Sequence, residues 1–456
     1  MGLDRITAVW NRIRDSLWFV PAALALAAVA LAIGSIQIDA SGVLSTSPVG
    51  IWLFSGTASG ARGVLTGIAS GFITVTGVVF SVTIVALQLA STQFTPRILR
   101  NFTADRVNQV VLGVFIATFT YALLVLRVVR GESGGSIPAD IDGVAQAARG
   151  PDAFVPQLSV TLAVVLALVG IGFLIYFIDH IARSVQASVI IDRVTGDALS
   201  TVERRFQERI GKASEEPARA VIPSLEGTVV RSARSGYVQG VDEDALMRLL
   251  DRDAATIRME PAVGDFVLPG SPLATVWPAE VVSEGLEGTV REALILGYER
   301  TPHLDLELGV IELSDIAVKA LSPGINDPTT AILCVDRIVE VLLAAGCHEP
   351  PGRVRRADGS GGTLVLPLTT FQALVDTALD EIRHYGVENP RFALTLIQRL
   401  GELGALLPDY RRPPVARHVA ALLRTARQVI RDPADRRRVE AAGARSLHAL
   451  GVGREP

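Results

Sequence analysis

Apolar side chains crowd into the first 180 residues of the chain, where four stretches, 17–37, 67–90, 107–126 and 158–178, carry no charged residue. Each is close to the ~20 residues that an α-helix needs to cross a bilayer. The pattern predicts four transmembrane helices. Beyond Asp179 charge returns but helical periodicity persists: Ile181, Val185, Val189, Val194, Leu199, Val202, Phe206 and Ile210 recur among Arg, Asp and Glu. This predicts an amphipathic connecting helix within 181–220, continuous with the fourth span. From 221 to 280 the rhythm changes to short runs such as Gly227-Thr228-Val229-Val230 and Ser235-Gly236-Tyr237-Val238, punctuated by Gly and Pro. These read as strands of a small β-rich module. Residues 281–456 return to helical spacing, with helices expected over 331–343, 371–385, 392–407 and 416–431. The fold class is therefore an α-helical integral membrane protein with four spans, followed by an α+β region with a β-rich module and a carboxy-terminal helical part.

The second run departs from plain lipid-facing composition. Ser70, Thr74, Gly77, Ser81 and Gln88 recur at intervals of three, four and seven, and the segment ends in the basic Pro96-Arg97-Ile98-Leu99-Arg100. Polar atoms in hydrocarbon need partners or water, so one face of this helix should turn away from lipid. Two readings stay open: a pore-lining face, or a packing face in which Gly67 and Gly71 form a G-x-x-x-G pair. Thr76 and Thr83 lie off the stripe, and a threonine hydroxyl can satisfy itself on the preceding turn.

Length alone would suggest about three domains. A mean hydropathy of +0.39 with 20% charged residues instead marks a membrane protein. Basic residues orient it, because Arg and Lys near span ends stay in the cytosol. Arg5, Arg12 and Arg14 precede the first span and Arg97, Arg100 and Arg106 follow the second, whereas Arg130 and Arg149 face Glu132, Asp140, Asp142 and Asp152 in the connection after the third. Both termini are expected in the cytosol. The first run exceeds the roughly 7–15 residues of a signal-peptide core, which favours an uncleaved span. A formal charge of −4 gives no reason to expect nucleic acid. Cys334 and Cys347 fall on the expected cytosolic side, so free thiols are expected, with no metal site and no cofactor.

The carboxy-terminal half holds the remaining candidate chemistry. Gly264-Asp265-Phe266-Val267-Leu268-Pro269-Gly270-Ser271-Pro272-Leu273 resembles the hairpin of biotinyl and lipoyl carrier domains. Lys212 and Lys319 are the only lysines of the chain and neither lies in this hairpin, so the resemblance implies a β platform without a swinging arm. In Leu321-Ser322-Pro323-Gly324-Ile325-Asn326-Asp327-Pro328-Thr329-Thr330, Asp327 is placed to cap a helix beginning at Pro328. Ser322, Gly324, Asn326, Asp327 and Thr329 are also candidates for a ligand loop at that helix amino terminus. His303, Asp305 and Glu307 alternate, so a strand would set them on one face, but surface polarity accounts for them without a metal. Asp179 and His180, where the fourth span ends, form with Arg97 and Arg100 the candidate inner mouth. No G-x-S-x-G, Walker, H-E-x-x-H or dinucleotide fingerprint occurs in a suitable context, and no catalytic residue is assigned.

Four blocks, taken together, resemble a family of bacterial predicted membrane proteins classed as a domain of unknown function. They are Phe80-Ser81-Val82-Thr83-Ile84-Val85-Ala86-Leu87-Gln88-Leu89-Ala90-Ser91 with Gln93-Phe94-Thr95-Pro96-Arg97; Tyr176-Phe177-Ile178-Asp179-His180-Ile181; Ser235-Gly236-Tyr237-Val238-Gln239; and Ala320-Leu321-Ser322-Pro323-Gly324-Ile325-Asn326-Asp327-Pro328. The resemblance implies a four-span membrane part plus a cytosolic domain and carries no activity, substrate or catalytic residues. Two functional expectations follow. One is a homo-oligomeric ion channel or channel-like transporter with a cytosolic vestibule. The other is a membrane-anchored sensor or scaffold that binds a small cytosolic ligand or a protein partner. The expected partners are the lipid bilayer, further copies of the chain, and ions or a small ligand.

Overall fold

A computed structural model describes residues 18–41, 53–93, 105–130, 154–207, 212–214, 226–252, 254–301, 304–348, 352–357, 359, 361–367 and 369–451. The chain forms two compact units, one ending at Gln186 and the other beginning at Ala187. The first contains four helices long and apolar enough to cross a membrane. These are α1 (Phe19–Ser41), α2 (Ala58–Gln93), α3 (Arg106–Val128) and α4 (Gln157–Ser184). All four expected spans are present, but α2 starts well before residue 67. Its 36 residues correspond to about 54 Å of helix, against ~30 Å of hydrocarbon.

Small residues let the spans approach closely. A Cβ on Gly113 of α3 would lie 2.6 Å from Leu24 Cδ1 and 3.1 Å from Pro21 Cα of α1. One on Gly170 of α4 would meet the Phe72 ring of α2 at 2.4 Å. Phe72 in turn packs edge-on against Phe115 of α3, with ring centroids 5.7 Å apart. Buried polar groups near one end are joined in a network. The Asp39 carboxylate accepts hydrogen bonds from Leu158 N and Ser159 N at 2.9 Å and from Ser159 Oγ at 2.7 Å, capping α4 from another helix. Tyr121 Oη lies 2.8 Å from Ser35 Oγ and donates to Ser159 O. With hydrocarbon around them, these groups need such internal partners.

The expected continuation of the fourth span is interrupted. After Ser184, Val185 caps α4 and Gln186 N donates to Arg183 O at 3.0 Å. Helix α5 (Ala187–Gln207) then begins within the second unit. Its apolar face packs on α8 (Leu306–Leu321) and α9 (Pro328–Cys347), where a Cβ on Gly309 would come within 2.8 Å of Ala198 Cβ.

Two sheets occupy the middle of the second unit. The larger runs in the order β1 (Lys212–Ser214), β8 (Val354–Arg356), β9 (Thr363–Val365), β4 (Thr256–Met259), β6 (Pro272–Trp277), β2 (Thr228–Arg231); only the β4 and β9 pair is parallel. The smaller sheet has β3 (Gly236–Val241) between β5 (Phe266–Val267) and β7 (Leu294–Gly297). Val230, Val238, Ile257, Val267, Val276 and Leu294 form one core with Leu246 and Leu250 of α6 (Glu243–Arg252) and Leu286 and Val290 of α7 (Glu284–Ala293). The β-rich part therefore reaches beyond 221–280: β7, β8 and β9 come from the region expected to be helical. Strand-like alternation at His303, Asp305 and Glu307 is also overturned, because Asp305 caps α8, accepting from Leu308 N at 3.1 Å, and Glu307 lies in its first turn. His303 lies outside the described residues.

Four further helices complete the unit: α10 (Phe371–Gly386), α11 (Pro390–Leu406), α12 (Arg412–Val429) and α13 (Pro433–Ala449). Arg399 of α11 reaches Asp336 of α9 at 2.6 Å. His418 Nε2 of α12 lies 2.8 Å from Asp376 Oδ1 of α10, which also accepts from Arg417. Burial raises the Asp376 pKa, but hydrogen bonds from His418 and Arg417 outweigh it and leave the carboxyl below its ordinary value. Cys334 is buried in this unit, and desolvation followed by the nearby Asp327 charge pushes its thiol up to about 12. Cys347 is an exposed free thiol.

Candidate functional site

Every residue of the polar stripe on α2 is exposed: Ser70, Thr74, Gly77, Ser81 and Gln88 all face away from the other helices of the protomer. The hydroxyls bond their own helix. Ser70 Oγ donates to Gly67 O at 3.2 Å, Thr74 Oγ1 to Ser70 O at 2.8 Å and Ser81 Oγ to Gly77 O at 2.9 Å. Thr76 and Thr83, off the stripe, do the same onto Phe72 O and Val79 O. Back-bonding removes the requirement for a water partner at those hydroxyls and leaves a smooth, weakly polar face.

That face is longer than the five predicted residues. Gly63, Gly67, Ser70, Thr74, Gly77, Ser81, Ile84 and Gln88 are separated alternately by four and three residues and all are exposed. This is the 3.5-residue period of a left-handed helix–helix seam. Its glycines are not demanded by the protomer: a Cβ at Gly63, Gly67 or Gly77, or at the adjacent Gly71, would meet nothing within 4 Å. Gly170, by contrast, is held to its size by Phe72. Beside the seam, α2 and α4 enclose an apolar groove of about 440 Å³, lined by Gly63, Gly67, Gly71, Phe72, Gly170 and Leu174 among others.

At the opposite end of α4 from Asp39, the candidate mouth residues do not act as one pair. Asp179 forms an ion pair with Arg183 one turn on. His180 turns to α3, where its Nε2 lies 2.7 Å from Asp105 Oδ2, with Ser184 Oγ at 3.3 Å and the Tyr176 ring stacked at 6.0 Å. Asp105 also caps α3, accepting from Val107 N at 2.9 Å. Three residues on, the Asn108 carboxamide is 5% exposed and neither of its polar atoms has a hydrogen-bond partner among the described residues. Arg97 and Arg100 lie outside the described residues. The sequence reading missed Asp39, Asp105 and Asn108. Their signal was present as lone polar groups at the edges of apolar runs, where a carboxylate is an efficient helix cap.

The loop of the second unit is closed on itself. Asp327 accepts from Thr329 N and Thr330 N at 3.1 Å and from Thr330 Oγ1 at 2.6 Å. Those hydrogen bonds, that of the Thr330 hydroxyl foremost, hold the Asp327 carboxyl below its ordinary value. Ser322 Oγ donates to Lys319 O, Ser322 O accepts from Ile325 N and Asn326 N, and Asn326 turns with φ +50°, while Gly324 sits exposed at the tip. Capping and turn formation account for Ser322, Asn326, Asp327 and Thr329 together. Among the described residues no group of three or more His, Cys, Asp or Glu is arranged to hold a metal ion.

Four apolar spanning helices joined to an α+β unit define a polytopic helical membrane protein with an attached domain. The chain belongs to the family described as Predicted membrane protein (DUF2254), whose profile matches residues 14–402. Among its relatives are the uncharacterized proteins Mb1321c of Mycobacterium bovis and Rv1290c of Mycobacterium tuberculosis. Each is 33% identical over 461 residues, covering 98% of this chain and 83% of the relative. No solved structure matches the chain.

Proposed function

We infer that the protein is a homo-oligomeric ion channel or channel-like transporter of the bacterial cytoplasmic membrane, with α2 helices of several copies meeting along the Gly63 to Gln88 seam. Both termini and the second unit lie in the cytosol in this reading, where the second unit forms a vestibule for ions or a small ligand. Catalysis and nucleic acid have no part in it. The observation that carries the inference is the exposure of a small, weakly polar, 3.5-periodic face on α2, where a Cβ at Gly63, Gly67 or Gly77 would meet nothing within 4 Å. Hydrocarbon is a poor solvent for such a face, whereas an identical helix or a file of water suits it.

The same hydroxyl back-bonding supports a second reading, in which the seam packs helices without enclosing water and the protein anchors a sensor or scaffold domain. Ion flux separates the two. Purified protein in liposomes should pass ions under a gradient, and Ser81→Leu or Gln88→Leu should change the flux. Absence of flux under all tested gradients, with the oligomer intact, leaves the anchored scaffold.

A further inference from the structure

The β module carries an apolar surface that is exposed among the described residues. Tyr237, Phe266 and Ile295 project from the outer face of the small sheet, where the Tyr237 and Phe266 rings meet edge-on at 5.0 Å. Phe266 is 54% exposed and Leu268, two residues on along the same hairpin, 57%. Exposed apolar residues grouped in this way mark a contact surface.

The hairpin ends beside a second turn, and the two are tied together. Ser232 N donates to Ser271 O at 2.9 Å and Gly270 N to Ser232 O at 2.8 Å, while Ser232 Oγ donates to Arg234 O. Arg231 Nη1 donates to Gly270 O at 2.9 Å, setting a guanidinium at the tip, and the Arg234 side chain is exposed on the neighbouring turn. Pro269 is exposed, and a Cβ on Gly270, at φ +87°, would meet open space. The nearby Asp265 carboxylate is occupied by the N–H of Ala262 at 2.8 Å. The result is a protruding, internally braced tip with Leu268 and Pro269 at its end, Phe266 and Tyr237 behind them and two arginines beside them.

We propose that this tip inserts into the anionic lipid surface on its own side of the membrane, Leu268 and Phe266 entering the headgroup boundary while Arg231 and Arg234 meet lipid phosphates. Charge complementarity selects the bilayer, because interfacial segments combine arginines with large apolar and aromatic side chains in this way. A fluid surface also accepts a protruding tip without a matching hollow. The four spans hold the unit next to lipid, so the effective concentration of that surface is high.

The test uses the full chain with Cys347→Ser, in which Leu268→Cys or, as a control on the same unit, Tyr410→Cys carries a bimane label; Cys334 is buried and does not react. The protein is reconstituted in phosphatidylcholine vesicles with brominated acyl chains, with or without phosphatidylglycerol. The expected result is quenching at position 268 at least about twofold greater than at 410 when phosphatidylglycerol is present, and a loss of that excess with Arg234→Glu. Emission without brominated lipid reports whether Arg234→Glu alters the tip itself. Equal quenching at the two positions in both lipids overturns the proposal. So does cross-linking of Leu268→Cys between copies with no lipid-dependent quenching, which would identify a second chain as the occupant.

Discussion

Replacing Arg300 with Met should destabilise the second unit far more than replacing Arg300 and Asp305 together. The Asp305 side chain is 2% exposed, and Arg300 holds it with two hydrogen bonds, Nε to Oδ2 at 2.5 Å and Nη2 to Oδ1 at 2.7 Å. Burial lowers the Arg300 pKa, but pairing with Asp305 more than reverses this, so the guanidinium is charged. Removing it leaves a carboxylate in the interior with the Leu308 N–H as its remaining described partner. Breaking one side of a buried pair costs about 3–5 kcal/mol. Arg300→Met with Asp305→Leu removes the charge as well and loses mainly the α8 cap, about 1 kcal/mol. At roughly 2–4 °C per kcal/mol for a unit of this size, the single variant should lower Tm by about 6–20 °C and the double by about 2–4 °C. Thermal unfolding of the full chain in detergent micelles, followed by circular dichroism, measures both. Equal shifts for the two variants, or a single-variant shift under about 2 °C, would refute the reasoning. Gly264 belongs to the same lock: at φ +98°, its added Cβ would stand 2.6 Å from Arg300 Nη2 and 2.7 Å from Asp305 Oδ2.

Asp376 makes acid stability testable. Its pKa is depressed in the folded state, so its contribution is present above the ordinary carboxylate value near ~3.9 and is lost as pH falls through the folded value. Wild-type Tm should therefore fall more steeply than that of Asp376→Asn between about pH 4 and pH 2; parallel curves would contradict this. Among the spans, Gly170→Leu should lower detergent-micelle Tm by driving a side chain into Phe72, whereas Gly67→Leu should leave protomer Tm unchanged and reduce the oligomer fraction on size exclusion. A Gly67→Leu variant that unfolds would show that the Gly67 face of α2 also packs inside the protomer.

The four apolar runs were legible because a bilayer imposes length and composition on each span independently of tertiary context. The early start of α2 was obscured by Gly60, Arg62 and Gly63, which interrupt the uncharged apolar pattern; in the structure Arg62 donates to Val129 O at 2.8 Å. The interruption at Val185 and Gln186 leaves no trace in hydrophobic periodicity, which runs through it without Pro or Gly. The short strands 294–297, 354–356 and 363–365 were hidden for another reason. Strand 294–297 pairs with the distant β3 and 363–365 with the distant β4, Ile257 opposite Leu364, while 354–356 and 363–365 are too short for local propensity to carry much weight. At the candidate site the polar spacing was legible, as was the Asp327 cap. What the sequence could not convey was the direction the stripe faces, because exposure depends on how α1, α3 and α4 pack. The absence of steric demand on Gly63, Gly67, Gly71 and Gly77 emerges only from three-dimensional structure.

Disulfide cross-linking along α2 in native membranes tests most directly whether this face meets a second copy. Single cysteines, in a background lacking the exposed Cys347 thiol, would be placed at Gly67, Thr74 and Ser81 and at the exposed off-seam positions Ile73, Val78 and Val85. Cross-linking concentrated at 67, 74 and 81, and weak at 73, 78 and 85, is the predicted result. Uniform cross-linking, a maximum on the apolar face, or none at any position would contradict a seam between copies.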